Sequence, residues 1–310
     1  MLSNKPLGEL PPLLQVILLI CLCLLSGGLF AIMAMNTVPG YSLFEIQEML
    51  SQGLATEEMV PEFWYLQGLT ALGTFVFPGI VFSYYWSYEE SFLPLGLKHN
   101  PSAKTYLFIL LLMLLSVPLV YAVYHWNQEI KLPAAWQELE ASLRASEEKA
   151  SQTINMLLGR TSLSAFLINM LVMAVLPAIG EELIFRGLLQ RSFQKAFQNH
   201  HLAIWMAAIL FSAIHMQWLG FFPRMLLGAL FGYLVFWTGS LLPAIFGHLL
   251  NNSMALMAEY GDRRGWIQLN EESLRNLPSY LVMLSLFLST LLLYKLYTSR
   301  QKTAAFERLD

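Results

Sequence analysis

Charge is what this chain has least of. Only 13% of its 310 residues are Asp, Glu, Lys or Arg, against about 25% in an ordinary soluble domain. The same chain is 56% hydrophobic, with a mean hydropathy of +0.53. A basic excess is missing too. The net charge of −3 and a pI near 6.1 leave no electrostatic footprint for nucleic acid. Cysteine is nearly absent. Cys21 and Cys23 sit together inside the first apolar run, where two small hydrophobes are the plain reading and metal or redox chemistry the remote one. The HExxH zinc signature is lacking, as are an evident Ser-His-Asp grouping, a 20–50-residue repeat and a recognisable soluble domain. What remains is a polytopic membrane protein of the all-α class.

Long apolar runs are what the chain does have. After Lys5, no charge falls between Glu9 and Glu45, and the apolar part Leu13–Met35 is 23 residues long. A signal-peptide core is about 7–15 residues, so this stretch reads as a retained first span. Runs of about 20 residues, enough to cross a bilayer, follow at 12–36, 63–86 (interrupted by Pro78), 105–125 (with Pro118), 165–192, 202–217, 222–238, 241–258 and 278–298. That predicts about eight transmembrane helices, the fifth to seventh forming an antiparallel cluster through very short links. Between the third and fourth, Leu132–Leu158 puts Trp136, Leu139 and Leu143 on one helical face and charges on the other. An amphipathic surface helix, or a lid packed on a partner helix, is expected there.

Connecting charges set the orientation. Lys5, Lys98, Lys104, Arg191, Lys195, Lys295, Arg300, Lys302 and Arg308 fall on one side. Glu45, Glu48, Glu57, Glu58, Glu62 and the acidic 129–148 segment fall on the other, with Arg263, Arg264 and Arg275 voting weakly against. The positive-inside rule then puts both termini in the cytoplasm, in a cell inner or plasma membrane. Trp64, Tyr84, Tyr85 and Trp86 flank the second run as an interfacial belt would. Gly228 and Gly232 form a close-packing GxxxG, and His99, His125, His200 and His201 lie at span ends or in connections.

Against this apolar background a few polar groups stand out. The stretch LVMAVLPAIGEELIFRGLLQR, Leu171–Arg191, carries Glu181, Glu182 and Arg186. Each ionised group there costs at least ~2.5–3.5 kcal/mol in hydrocarbon, so partners or a wet cavity are required. Glu182 and Arg186 stand at i and i+4 in the favourable Glu-before-Arg order, while Glu181 points about 100° away around the helix. Pro177 and Gly180 loosen the helix just upstream. Two further pairs at i and i+4 are Phe211 with His215 and His248 with Asn252. Counting about 1.5 Å per residue, Glu181 lies ~24–27 Å and His215 ~20 Å above their shared turn. His248 lies only ~12 Å above the 238–241 link, so that link must be recessed if the groups share one site.

A carboxylate, two imidazoles and a carboxamide around water are the parts for hydrolysing an acyl bond. Glu181 would be the general base, His215 would share or orient the water, and His248 with Asn252 could form an oxyanion hole. Glu181, His215 and His248 could also ligate Zn²⁺ through N and O atoms; a metal-free site is the preferred reading, with no cofactor.

EELIFR (Glu181, Glu182, Arg186), FSAIH (Phe211, His215) and HLLNN (His248, Asn252) resemble, in order, the EExxxR, FxxxH and HxxxN motifs of the CAAX prenyl endopeptidase and bacteriocin-processing (CPBP, or Abi) family. The resemblance covers roughly residues 165–258. It implies an all-helical intramembrane endopeptidase in which Glu181 and His215 activate water, His248 and Asn252 bind the oxyanion, and Glu182, Arg186 and Phe211 support the site. It implies a division into an N-terminal part (1–160), a catalytic helix core (161–260) and a C-terminal helix with tail (261–310). Partners would be membrane lipids and a peptide or protein substrate. A scaffold or immunity-type factor, or a proton-coupled carrier, are the other readings that intramembrane Glu, Arg and His permit.

Overall fold

The computed structural model describes residues 7–38, 45, 57–86, 97, 100–268, 270 and 276–299. Lys5, Glu48, Lys98, His99, Arg275, Arg300, Lys302 and Arg308, used above, lie outside the described residues. Within them the chain is helical, with no strand. We number the helices α1 (Pro12–Thr37), α2 (Val60–Trp86), α3 (Ala103–Glu129), α4 (Gln137–Gly159), α5 (Leu163–Phe197), α6 (His200–Ala213), α7 (Phe221–Thr238), α8 (Leu242–Arg263) and α9 (Ser279–Thr298).

Six of these are long and apolar enough to cross a membrane: α1, α2, α3, α5, α9, and α7 with the 3-10 turn Trp218–Gly220 before it. The chain is an integral membrane protein built as a helical bundle. The fifth and seventh expected spans have other forms. α6 has 14 residues, about 21 Å of helix, short of a hydrocarbon core of about 30 Å. α8 has 22 residues, but His248, Asn251, Asn252 and Ser253 lower its hydropathy. The amphipathic segment is α4, entered through a 3-10 turn at Ala134–Trp136.

By backbone contacts the chain divides into two compact units, Met1–Lys98 with Gln152–Ala203 and His99–Ser151 with Ile204–Asp310. In the first, α1, α2 and α5 approach closely at glycines. A Cβ on Gly73 would overlap the Phe30 side chain, and one on Gly180 would stand 2.8 Å from Phe75 Cβ. The helices are locally unwound into wider π turns at Leu72–Val76, Met170–Val175 and Leu183–Leu189. The N–H groups of Phe77, Leu176 and Gln190 each close onto the carbonyl five residues back. Such turns leave carbonyls to satisfy, and Ser26 Oγ sits 2.7 Å from Gly73 O in the first of them. The start of α5 is pinned by buried Asn169, which accepts from Trp64 Nε1 at 2.6 Å and donates to Leu157 O at 3.0 Å. Met59, Val60, Phe63, Trp64, Leu157 and Ala165 pack around it.

In the second unit α3 and α9 run antiparallel. Pro118 removes one N–H from α3, and the opening is closed from outside the helix. Ser285 Oγ donates to Leu115 O at 2.6 Å and accepts from Leu119 N at 3.2 Å. A small apolar cluster of Ile204, Ala208 and Ala229 joins α6 to α7. Gly239, in the left-handed region at φ 66, ends α7, and the link to α8 is buried, with Ser240 and Leu241 at 0% exposure.

Candidate active site

Glu181, Glu182 and Arg186 belong to the first unit. Arg186 Nη1 donates to Glu182 Oε1 at 2.7 Å, and both side chains are fully buried. A charge pair taken this far out of water loses much solvation and holds only with good geometry. The i,i+4 spacing supplies that geometry, and the Arg186 guanidinium also lies 6.0 Å from the Phe185 ring centre. Glu181 keeps 8% exposure. The pair sits where the α-helix ending at Glu182 passes into the π turn Leu183–Leu189, and π turns recur at functional positions. Both ends of this stretch are fixed. Gly180 meets Phe75 and Val76, and Gly79 of α2 meets Leu183. Downstream, Ser192 Oγ donates to Gln15 Oε1 at 3.2 Å, and Lys195 lies 4.6 Å over the Trp86 ring.

Phe211, His215, His248 and Asn252 belong to the second unit, where one phenyl ring gathers two imidazoles. Phe211 lies 5.3 Å from the His215 ring and 5.7 Å from the His248 ring, edge-on to both. Chain distance had set His215 and His248 at different heights, yet both reach Phe211. His248 is 5% exposed and stacks on Phe231 of α7 at 5.3 Å and 17°. Gly247 lets Phe231 come this close, because a Cβ there would sit 3.1 Å from its ring. Asn252, one turn along α8, accepts on Oδ1 from Asn251 Nδ2 at 3.2 Å. That bond turns the amide of Asn252 with its NH₂ as the donating side.

His215 corrects the expected span 202–217. α6 ends at Ala213, and His215 lies in the turn beyond it, followed by Met216 at φ 52. The i,i+4 relation survives as a side-chain bond, His215 Nδ1 to Phe211 O at 2.8 Å. A carbonyl only accepts, so Nδ1 carries the proton and a neutral ring presents Nε2 as an acceptor. The turn is clasped from several elements. Buried Asn127 donates to Trp218 O at 3.1 Å and accepts from Phe222 N at 2.9 Å. Glu147 of α4 accepts from Leu219 N at 2.9 Å, and Arg224 donates to Gln217 Oε1 at 2.6 Å. Phe231, Asn127 and Glu147 carried no signal in the sequence. Asn127 is a polar residue at the end of an apolar run, and its partners lie some 90 residues on. Within either unit, no group of three or more His, Cys, Asp or Glu among the described residues gathers so as to hold a metal ion.

Comparison with known proteins bears on the same stretch. Residues 163–254 match the family described as type II CAAX prenyl endopeptidase Rce1-like. The chain is 29% identical over 86 residues to the uncharacterized protein YpbD of Bacillus subtilis (strain 168). That match takes in 26% of this chain and 41% of YpbD, so the chain spans less than half of that curated relative. No solved structure matches. The Rce1-like range begins with α5, ends within α8, and takes in every residue from Glu181 to Asn252, so it is this part of the chain that is similar to the type II CAAX prenyl endopeptidases.

Proposed function

We propose that the chain is an intramembrane endopeptidase hydrolysing a peptide bond in a membrane-associated substrate, of CAAX type or otherwise hydrophobic or lipidated, with both termini cytoplasmic. The observation that carries this reading is the coincidence of the family match, residues 163–254, with the chain's buried ionisable and amide groups. In the reaction, the Glu181 carboxylate takes a proton from water as its oxygen attacks the scissile carbonyl. His215, its Nδ1 committed to Phe211 O, offers Nε2 to orient that water. Charge develops on the carbonyl oxygen, and His248 with the Asn252 NH₂ donates to it. Glu181 then returns its proton to the leaving amine. General-base catalysis contributes about 10²–10⁴-fold and an oxyanion donor about 10²–10³-fold. Glu182 and Arg186 neutralise each other and hold Glu181 on a fixed helix face. The proposal is metal-free. Were zinc required, Glu181, His215 and His248 would hold it and it would acidify the bound water.

The test is cleavage of a panel of hydrophobic and lipidated peptides by the purified protein, read by mass spectrometry with and without a strong chelator. Wild type cuts at a defined bond, Glu181→Gln loses at least about 100-fold, and the chelator changes nothing. Unchanged cleavage by Glu181→Gln contradicts the assignment. Activity removed by the chelator and restored by zinc contradicts the metal-free chemistry. A Glu181→Gln protein that cuts nothing yet keeps its cellular role would mark a scaffold, and one with altered ion coupling a carrier.

A further inference from the structure

The second unit carries a groove that the proposed chemistry does not use. It lies between α3 and α9, encloses about 530 Å³, and has a polar end and an apolar length. Lys104 in the first turn of α3 and Lys295 in the last turn of α9 stand at the polar end, with the hydroxyls of Thr298 and Ser299 beside them. Leu111 and Leu115 line one wall and Leu288 and Leu292 the other. The Ser285 bonds to Leu115 and Leu119 close the far end. Lys104 lies along the wall with Nζ 5.5 Å from the Phe108 ring centre. A second, smaller cavity of about 80 Å³ adjoins the same end and adds the hydroxyls of Ser102 and Thr105.

No carboxylate among the described residues lines either space. Two ammonium groups therefore stand beside a polar pocket that no described carboxylate lines, above a wall that runs about 16 Å from Lys104 past Phe108 and Leu111 to Leu115 (at about 1.5 Å per residue). We propose that this groove is a binding site for an anionic phospholipid. The phosphate sits between Lys104 and Lys295, within reach of the hydroxyls, and one acyl chain lies along the leucines. A zwitterionic lipid brings its own cation to the same place and loses the advantage of the two lysines. Juxtamembrane lysines favour anionic headgroups by about 1 kcal/mol each, so the pair predicts a preference of about 30-fold.

The experiment uses the full chain in nanodiscs. It measures retention, after exchange, of phosphatidylglycerol against phosphatidylcholine with the same acyl chains. Wild type should retain the anionic lipid about 30-fold better, and Lys104→Gln/Lys295→Gln should bring the ratio close to one. Lys104→Arg/Lys295→Arg should keep the preference. Leu292→Trp, which fills the apolar wall and leaves the lysines, should lower retention. Equal retention of the two lipids by wild type, or an undiminished preference in the glutamine variant, overturns the proposal. So does competition by free glycerol phosphate equal to that of the whole lipid, which would leave an anion site without a lipid groove.

Discussion

The Glu182–Arg186 pair carries the steepest consequence of any two residues. Both side chains are at 0% exposure and 2.7 Å apart, so removing one leaves the other buried without its ion-pair partner. Arg186→Ala should lower stability by about 3–5 kcal/mol, visible as a fall in the unfolding midpoint in detergent. Glu182→Leu/Arg186→Leu should recover most of that loss, since apolar replacement of both partners of a buried pair is often neutral. Stability equal to wild type in Arg186→Ala would show that the pair does not hold the helix. A second residue with a readable charge is Glu140, outside the membrane spans. Its carboxyl is held below the usual range by the Leu132 N–H, at 2.8 Å, and then by Arg144. A depressed folded-state value means stabilisation that is full above the ordinary carboxylate range and is lost as pH falls through the lowered value. Wild type should therefore be more stable than Glu140→Gln at neutral pH, the two should converge on strong acidification, and Leu132 amide exchange should quicken in the variant at neutral pH only.

Among the elements, the turn from Ile214 to Phe222 matters most, because it positions His215. Met216 holds a left-handed backbone at φ 52, a conformation costing on the order of 1–3 kcal/mol that surrounding contacts must offset. Asn127 and Glu147 supply those contacts through Trp218, Leu219 and Phe222. Asn127→Ala leaves the half-buried Trp218 carbonyl and Phe222 N–H without this partner, at up to about 1–3 kcal/mol each. Hydrogen exchange at Phe222 should rise first, and kcat should fall more than KM changes. Unaltered exchange there would remove Asn127 from the account. Helix packing makes its own prediction. Gly180→Val must displace Phe75, whose Cβ would already be 2.8 Å from a single added carbon, and should cost about 1–3 kcal/mol or more.

The same elements show how far the sequence could be read. Spans at 12–36, 63–86, 105–125, 222–238 and 278–298 lie within a few residues of the helices observed, because hydropathy over 20 residues is a local property. The polar pairs were legible for the same reason, since i,i+4 spacing is carried by the chain itself. The π turn after Glu182 was not, because a shift from four-residue to five-residue closure is set by packing against another helix, here Phe75 and Gly79 of α2. Nor was the end of α6 at Ala213. Phe211–Trp218 is apolar enough to continue a helix, and the turn that follows Ala213 is held by bonds from Asn127 and Glu147, distant in sequence, and from Arg224.

For the whole molecule, the proposed reaction needs both a buried ion pair with its neighbouring carboxylate and a ring-gathered pair of imidazoles. The family match through residues 163–254 spans both sets, and the chemistry proposed asks them to act on one water. A double-mutant cycle on kcat/KM, with Glu181→Gln, His215→Ala and the two together, measures that directly. Residues that act as a unit lose their effect once. The account predicts that each single variant is strongly impaired and that the double variant is scarcely worse than either. Losses that multiply in the double variant, or a His215→Ala enzyme that cuts at the wild-type rate, would contradict it.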